Sequence, residues 1–249
     1  MRQLILMKKI ILAVFCFSGF VSSAQNGFYL QPQIGFGTSY VDAHDNLKLG
    51  TYENEGKGSV SVYNVELGVG YRLNQLEISS GIYFLRSGYY EHTLSGYMFV
   101  IDTKTTQYYN SIALPLMAGY RFWLGKRFSI TPGFGYEISY NYSDDKTIDR
   151  DGVVTKQTLT GAAFTSQYHK TSLWGILRLG LGYKLNTRMN IIAGGEFHDM
   201  LSSMLPGGYN PAAYQYVHIF SLNAGITWRL GKYSPAKQYE ERNNKNFNR

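Results

Sequence analysis

Beyond residue 24 the chain contains no cysteine, its single cysteine being Cys16. Disulfides, thiolate metal sites and cysteine nucleophiles are therefore excluded from residues 25–249. Charge is scarce too, with Asp, Glu, Lys and Arg making up only 16% of the sequence. No run of 18 apolar residues follows residue 24, so the pattern offers no membrane-spanning helix. A basic stripe is missing as well. Of the formal charge of +7, three units lie in the first 24 residues and three in residues 232–249, leaving +1 for residues 25–231. That balance disfavours nucleic acid as a partner. There is no glycine-rich phosphate loop, no zinc-ligand spacing and no nucleophile elbow. The expectation is a chain with no catalytic residues, no metal and no cofactor.

What is present begins with a leader. Arg2, Lys8 and Lys9 precede a short apolar stretch at 10–17, and Ser22, Ser23 and Ala24 supply small residues before Gln25. This is the layout of a cleaved signal peptide, residues 1–24. Cys16 follows Phe15 rather than a small residue, so it reads as part of the apolar stretch and not as a lipid anchor. At the other end, residues 232–249 carry Asn243, Asn244, Asn246 and Asn248 with almost no apolar content. They read as a disordered polar periplasmic tail, a solvated tail outweighing a peptidoglycan-binding one. One domain, 25–231, remains.

That domain is rich in Tyr (22), Phe (14) and Gly (27). Eight segments alternate with period two: 28–40, 59–72, 76–87, 108–122, 127–142, 171–184, 188–198 and 216–230. Each is long enough to cross a bilayer as a tilted strand, which takes about 9–11 residues. One parity is bulky and apolar, for example Leu67, Val69 and Tyr71, or Leu177, Leu179 and Leu181. The other is polar or small, with Gln33, Glu66, Glu137, Arg178, Glu196 and most of the strand glycines. A soluble barrel hides its apolar face; a narrow membrane barrel turns it to lipid and keeps small and polar groups inside. The predicted fold is an all-β, eight-stranded antiparallel up-and-down transmembrane β-barrel, with a soluble eight-stranded binding barrel as its rival.

Connection lengths agree. They alternate long (41–58, 88–107, 143–170, 199–215) and short (73–75, 123–126, 185–187), as external loops and periplasmic turns do. Tyr71, Phe122, Trp123, Phe128, Tyr183 and Trp228 flank the short turns, while Tyr40, Tyr89, Tyr90, Tyr109, Tyr140, Tyr142 and Tyr214 flank the long loops. Two aromatic belts mark two membrane interfaces. The expected location is the outer membrane of a Gram-negative bacterium.

The fourth and fifth segments carry the most specific wording. Ile112-Ala113-Leu114-Pro115-Leu116-Met117-Ala118-Gly119-Tyr120, then Phe128-Ser129-Ile130-Thr131-Pro132-Gly133-Phe134-Gly135-Tyr136, resembles the PorT-like family of outer-membrane barrels, among small eight-stranded barrels of the OmpA/OmpX kind. The region of Leu94 and the closing Gly225-Ile226-Thr227-Trp228-Arg229-Leu230 are similar as well. The resemblance covers most of 26–231 and implies an eight-stranded barrel in the outer membrane. It does not imply secretion-system work. The polar tail departs from the terminal aromatic with which many outer-membrane barrels end.

Candidate sites follow from parity. Glu66, Glu137, Arg178 and Glu196 fall inward near mid-depth; Arg72, Glu77, Arg121, Lys184 and Arg229 fall inward and lower. A lumen charge network of Glu66, Glu137, Arg178, Glu196, Arg121 and Arg229 is expected, with a salt-bridge plug outweighing a proton or ion path. His198, Asp199, Ser202 and Ser203 are placed at the external rim, where a lipid-modifying site is the minor alternative. Asp144, Asp145, Asp149, Asp151 and Gly152 form an acidic loop, read as solvated rather than calcium-binding. Arg86, Lys104, Lys156 and Lys170 near the external rim are candidates for lipopolysaccharide phosphates or for plain interface anchoring. The expected partners are outer-membrane lipids and lipopolysaccharide, with envelope proteins as further candidates. The expected role is structural or surface interaction, with a narrow channel or secretion accessory, and a lipid-modifying enzyme, as alternatives.

Overall fold

The computed structural model describes residues 27–44, 52–95, 101–165, 168–203 and 214–230; the leader and the tail lie outside them. In chain order the strands are β1 (Gly27–His44), β2 (Tyr52–Gly58), β3 (Val60–Leu73), β4 (Leu76–Ser95), β5 (Ile101–Tyr120), β6 (Phe122–Leu124), β7 (Phe128–Arg150), β8 (Val153–Thr160), β9 (Thr171–Lys184), β10 (Met189–Met200) and β11 (Tyr214–Arg229), with one helical turn at Gly161–Thr165. Eight of them form a ring in which every neighbour is antiparallel: β1, β3, β4, β5, β7, β9, β10, β11 and back to β1. Pairings such as Phe84↔Ile112 and Phe36↔Leu222 close it. Closure gives every strand two partners, so no row of backbone N–H and C=O groups in the ring faces hydrocarbon unpaired.

The side chains face as the alternation predicts. Leu67, Leu114, Leu116, Leu179 and Leu222 are more than half exposed on the outer wall, whereas Glu66, Glu137 and Glu196 are buried inside. This orientation rejects the soluble rival, which would reverse it. Aromatic pairs mark the periplasmic end, among them Phe28 against Tyr71 and Phe128 against Tyr183, both with centroids 5.0 Å apart. The narrow ring also explains its inward glycines. A Cβ on Gly225 would lie 2.3 Å from the Pro32 carbonyl oxygen, a spacing no side chain tolerates.

The external connections differ from their expected form. The stretches 88–107 and 143–170 are read from sequence as loops, but β4 and β5 stay paired up to Ser95↔Ile101, and β7 pairs with β8 up to Arg150↔Val153. β2 adds a further strand along the upper part of β4. Threonines explain the extension of β5, β7 and β8, since Thr103, Thr105, Thr147, Thr155, Thr158 and Thr160 favour extended backbone in water as well as in lipid. Asp151-Gly152 is a two-residue hairpin turn with φ of 51° and 85°, the positive-φ pair that a tight hairpin needs. The acidic-loop reading of this segment is thereby corrected.

Leu114→Arg, at mid-height on the lipid face, is expected to destabilise the vesicle-embedded barrel by about 2–4 kcal/mol in urea titration. Val153→Arg, at the hairpin tip, should change stability by less than about 0.5 kcal/mol.

Candidate functional site: the filled lumen

Small inward residues leave space that larger inward residues fill in three layers. The mid-depth layer is charged. β3 delivers Glu66, β4 Tyr83, β9 Arg178 and β10 Glu196, held level by the pairings Glu66↔Tyr83 and Glu196↔Arg178. Arg178 Nη2 donates to Glu66 Oε2 at 3.1 Å and to the Tyr83 hydroxyl at 2.5 Å, and its Nε pairs with Glu196. The Tyr83 hydroxyl donates to Glu196 Oε2 at 2.9 Å, and Gln33 donates to Glu66. One guanidinium thus serves two carboxylates from opposite walls, with a phenol bridging them.

His198 joins this layer, which corrects its expected place at the external rim. It is fully buried, with Nε2 3.4 Å from Glu196 and Nδ1 3.6 Å from Glu137. The imidazole thus stands between two carboxylates, one facing each ring nitrogen. The signal was legible: His198 is two residues beyond inward Glu196 on an unbroken strand, and shares its face. Glu137, on β7, is brought to the network through His198 rather than through Arg178.

Above the charges lies a layer that the polar-and-small reading of the inner face missed. Val41, Val60, Val62, Leu85, Tyr109, Trp174, Met200, Val217 and Ile219 pack inside the barrel toward its external end. Trp174 is buried, and its Nε1 donates to Ser139 Oγ at 2.8 Å. All are on the inward parity. The polar members of the inner face say nothing of its apolar ones, because alternation settles which way a side chain points and not what surrounds it.

The lower layer is separate. Glu77 Oε1 accepts from Arg72 Nε at 2.6 Å and meets Arg121 Nη2 at 2.7 Å. Arg229 belongs to this end, its Nε beside Gly27, the residue in register with Arg72. The expected single network of six residues is therefore two: Glu66, Glu137, Arg178 and Glu196 at mid-depth, and Arg121 and Arg229 near the periplasmic mouth.

The other candidates resolve into structural contacts. Asp199 pairs with His218 at 2.7 Å; the Ser202 and Ser203 hydroxyls accept from the backbone N–H groups of Leu173 and Gln215. They do not converge on His198. Asp149 accepts from Gly152 N–H, Asp151 from Asp102 N–H, and Asp145 from Asn110 and Thr158. No cluster of three or more metal-ligating side chains occurs among the described residues. Arg86 packs between the rings of Tyr63 and Tyr108, 5.8 and 4.1 Å from their centroids, and Lys104 is 3.6 Å from Asp102.

At the external mouth, above the apolar layer, Gln107 donates to Asp144 and to the Tyr168 hydroxyl, both at 2.7 Å, and accepts from Tyr89 at 2.8 Å. Burial pushes the Asp144 carboxyl up to about 6, against the hydrogen bond from Gln107 that favours its charged form.

The sequence matches the outer membrane protein β-barrel domain family over residues 10–229. No curated protein matches it significantly in sequence. Among solved structures it is similar to Neisserial surface protein A, with 17% identity over 83% of this chain and 100% of that one and a TM-score of 0.40. It is also similar to OprG from Pseudomonas aeruginosa, with 12% identity over 83% and 97% and a TM-score of 0.42. A major outer membrane protein from Thermus thermophilus has 13% identity over 83% and 100%, with a TM-score of 0.47.

Substitutions at two positions test the layers. Arg178→Met leaves Glu66 and Glu196 buried without their cation and should destabilise the barrel by about 3–5 kcal/mol in urea titration; Arg178→Glu should cost more. Asp144 has a folded value above its unfolded one, so the stability it contributes is complete below about pH 4 and is lost as pH rises through about 6. Asp144→Asn should remove that part of the pH dependence of the thermal midpoint between about pH 4 and 7.

Proposed function

We propose that this chain, which belongs to the outer membrane protein β-barrel domain family, acts as a sealed scaffold that presents hairpins outside the cell and neither conducts nor catalyses. The barrel lies in the outer membrane of a Gram-negative bacterium. The observation that carries the reading is the stacking of an apolar layer, with Trp174 and Tyr109, directly over a charge-paired layer, with Arg178 and Glu196. An ion crossing the first would lose its hydration with nothing in exchange, and in the second it would compete with groups already paired. The narrow-channel alternative needs both layers to move. The lipid-enzyme alternative needs a nucleophile and base together, but the serines near the rim are engaged with backbone and His198 is inside the lumen.

With chemistry and conduction set aside, the outer surface is what remains available for function. The paired stretches β4–β5 and β7–β8, with β2 beside them, extend beyond the lipid-facing wall and offer a structural or surface-interaction role. Outer-membrane lipids and lipopolysaccharide are the proposed immediate partners. Arg86, framed by Tyr63 and Tyr108 at the level where the apolar wall ends, is suited to a phosphate at the headgroup level. Envelope proteins are the proposed partners of the hairpins. The PorT-like kinship suggested by residues 112–136 belongs to the same proposal and adds no secretion role.

The test is electrical. Purified protein in planar bilayers should give no stable current steps, at neutral pH or at about pH 5. Reproducible open-channel conductance would overturn the sealed reading in favour of the channel.

A further inference from the structure

The lower charged layer differs from the one above it in its balance. At mid-depth three carboxylates outnumber the cations. Near the periplasmic mouth three arginines, Arg72, Arg121 and Arg229, face one inward carboxylate, Glu77, among the described residues of that layer. Arg72 and Arg121 are both almost fully buried, and both spend their contact on the same oxygen, Glu77 Oε1. Arg72 Nη2 and Arg121 Nε and Nη1 are buried with no hydrogen-bond partner. Buried guanidinium N–H groups without acceptors are costly, and structures retain them where something accepts from them.

There is room for such an acceptor beside Arg121. Arg121, Glu77, Tyr29, Ser79 and Thr131 line the lower end of a partly open cavity of about 60 Å³ that reaches up to Arg178 and Glu196, several times the roughly 10–15 Å³ that one water needs; Arg72 stands behind Glu77 and does not line it. Glycines on the facing wall, Gly180 and Gly182, keep it open. The Tyr29 ring, 5.2 Å from the Arg72 guanidinium carbon, holds that side chain in place.

We propose that the periplasmic mouth of the lumen binds a small free oxyanion of phosphate size against Arg121, with Glu77 as the internal competitor that holds Arg121 and Arg72 when the anion is absent. The planar guanidinium fork of Arg121 matches the paired oxygens of phosphate, and positive charge in a desolvated mouth, with Arg72 behind Glu77 adding to it, attracts an anion more strongly than the same charge in water does. A carboxylate from solution presents the same paired oxygens at lower charge and binds more weakly. The inference does not depend on whether the lumen conducts.

The experiment uses the full mature chain folded in lipid-free detergent, so that no headgroup phosphate is present. Inorganic phosphate is titrated against chloride at matched ionic strength, with the thermal midpoint and phosphorus-31 line width as readouts. Binding to the folded state should raise the midpoint with phosphate and not with chloride. Glu77→Gln, which removes the competitor, should tighten binding on the order of tenfold, and Arg121→Gln should weaken it by at least as much. Altered gel mobility of the unheated protein confirms folding of each variant; if Arg121→Gln does not fold, Arg72→Gln and Glu77→Gln carry the test. Adding anionic phospholipid should not displace phosphate, whereas displacement would assign the site to a lipid headgroup and overturn the free-anion proposal. No phosphate response in either the parent or Glu77→Gln, or a response that both arginine variants leave intact, would overturn it outright.

Discussion

In hydrocarbon a backbone N–H or C=O without a partner costs several kcal/mol, and the rest of this structure follows from meeting that demand with only eight strands. The pairing of β4 with β5 and of β1 with β11 completes the ring. A ring of eight is narrow, so its inner face cannot be filled uniformly with large residues. Glycines admit the closest backbone approaches, and the larger inward groups pack against one another across the axis. The wall dictates the lumen, and the lumen leaves the outer rim as the surface free to vary.

Within the lumen the order of layers has its own logic. Glu66, Arg178, Glu196 and His198 stand between an apolar layer on the external side and a basic layer on the periplasmic side. Charges so enclosed persist only when their remaining donors and acceptors are satisfied, which is the part played by Tyr83 and Gln33. Both are neutral, so they complete the hydrogen bonding without changing the charge balance. The apolar layer shields the network from external water and thereby strengthens each ion pair below it.

Much of this was legible in the sequence. Period-two alternation set the strand number and the orientation of Leu67 against Glu66, because neighbouring residues in a strand must point oppositely. The mid-depth quartet was legible for the same reason. Three features carried a geometric signal that a composition cue masked. Trp174 and Ile176 share the parity of Arg178, yet their apolar character suggests the outer face until the neighbours across the lumen are known. His198 follows an inward glutamate but precedes Asp199 and two serines, whose company suggested a rim. Asp151-Gly152 is a strong turn signal, but Asp144, Asp145 and Asp149 nearby give the segment the composition of a solvated acidic loop. In each case a composition cue competed with a geometric one, and the geometric one held.

The length of the β7–β8 hairpin has a consequence for what the cell's surroundings meet first. From Tyr140, near the end of the lipid-facing wall, to the turn at Arg150 is ten residues of extended chain, about 33 Å along the strand. A ladder of that length, braced by β5 on its other side, behaves as a stiff mast rather than a tether. Anything that binds its tip finds the shape already formed and bears little ordering entropy. Sequence drift at Val153 and Val154 could then change the recognised surface without disturbing the membrane-embedded cylinder.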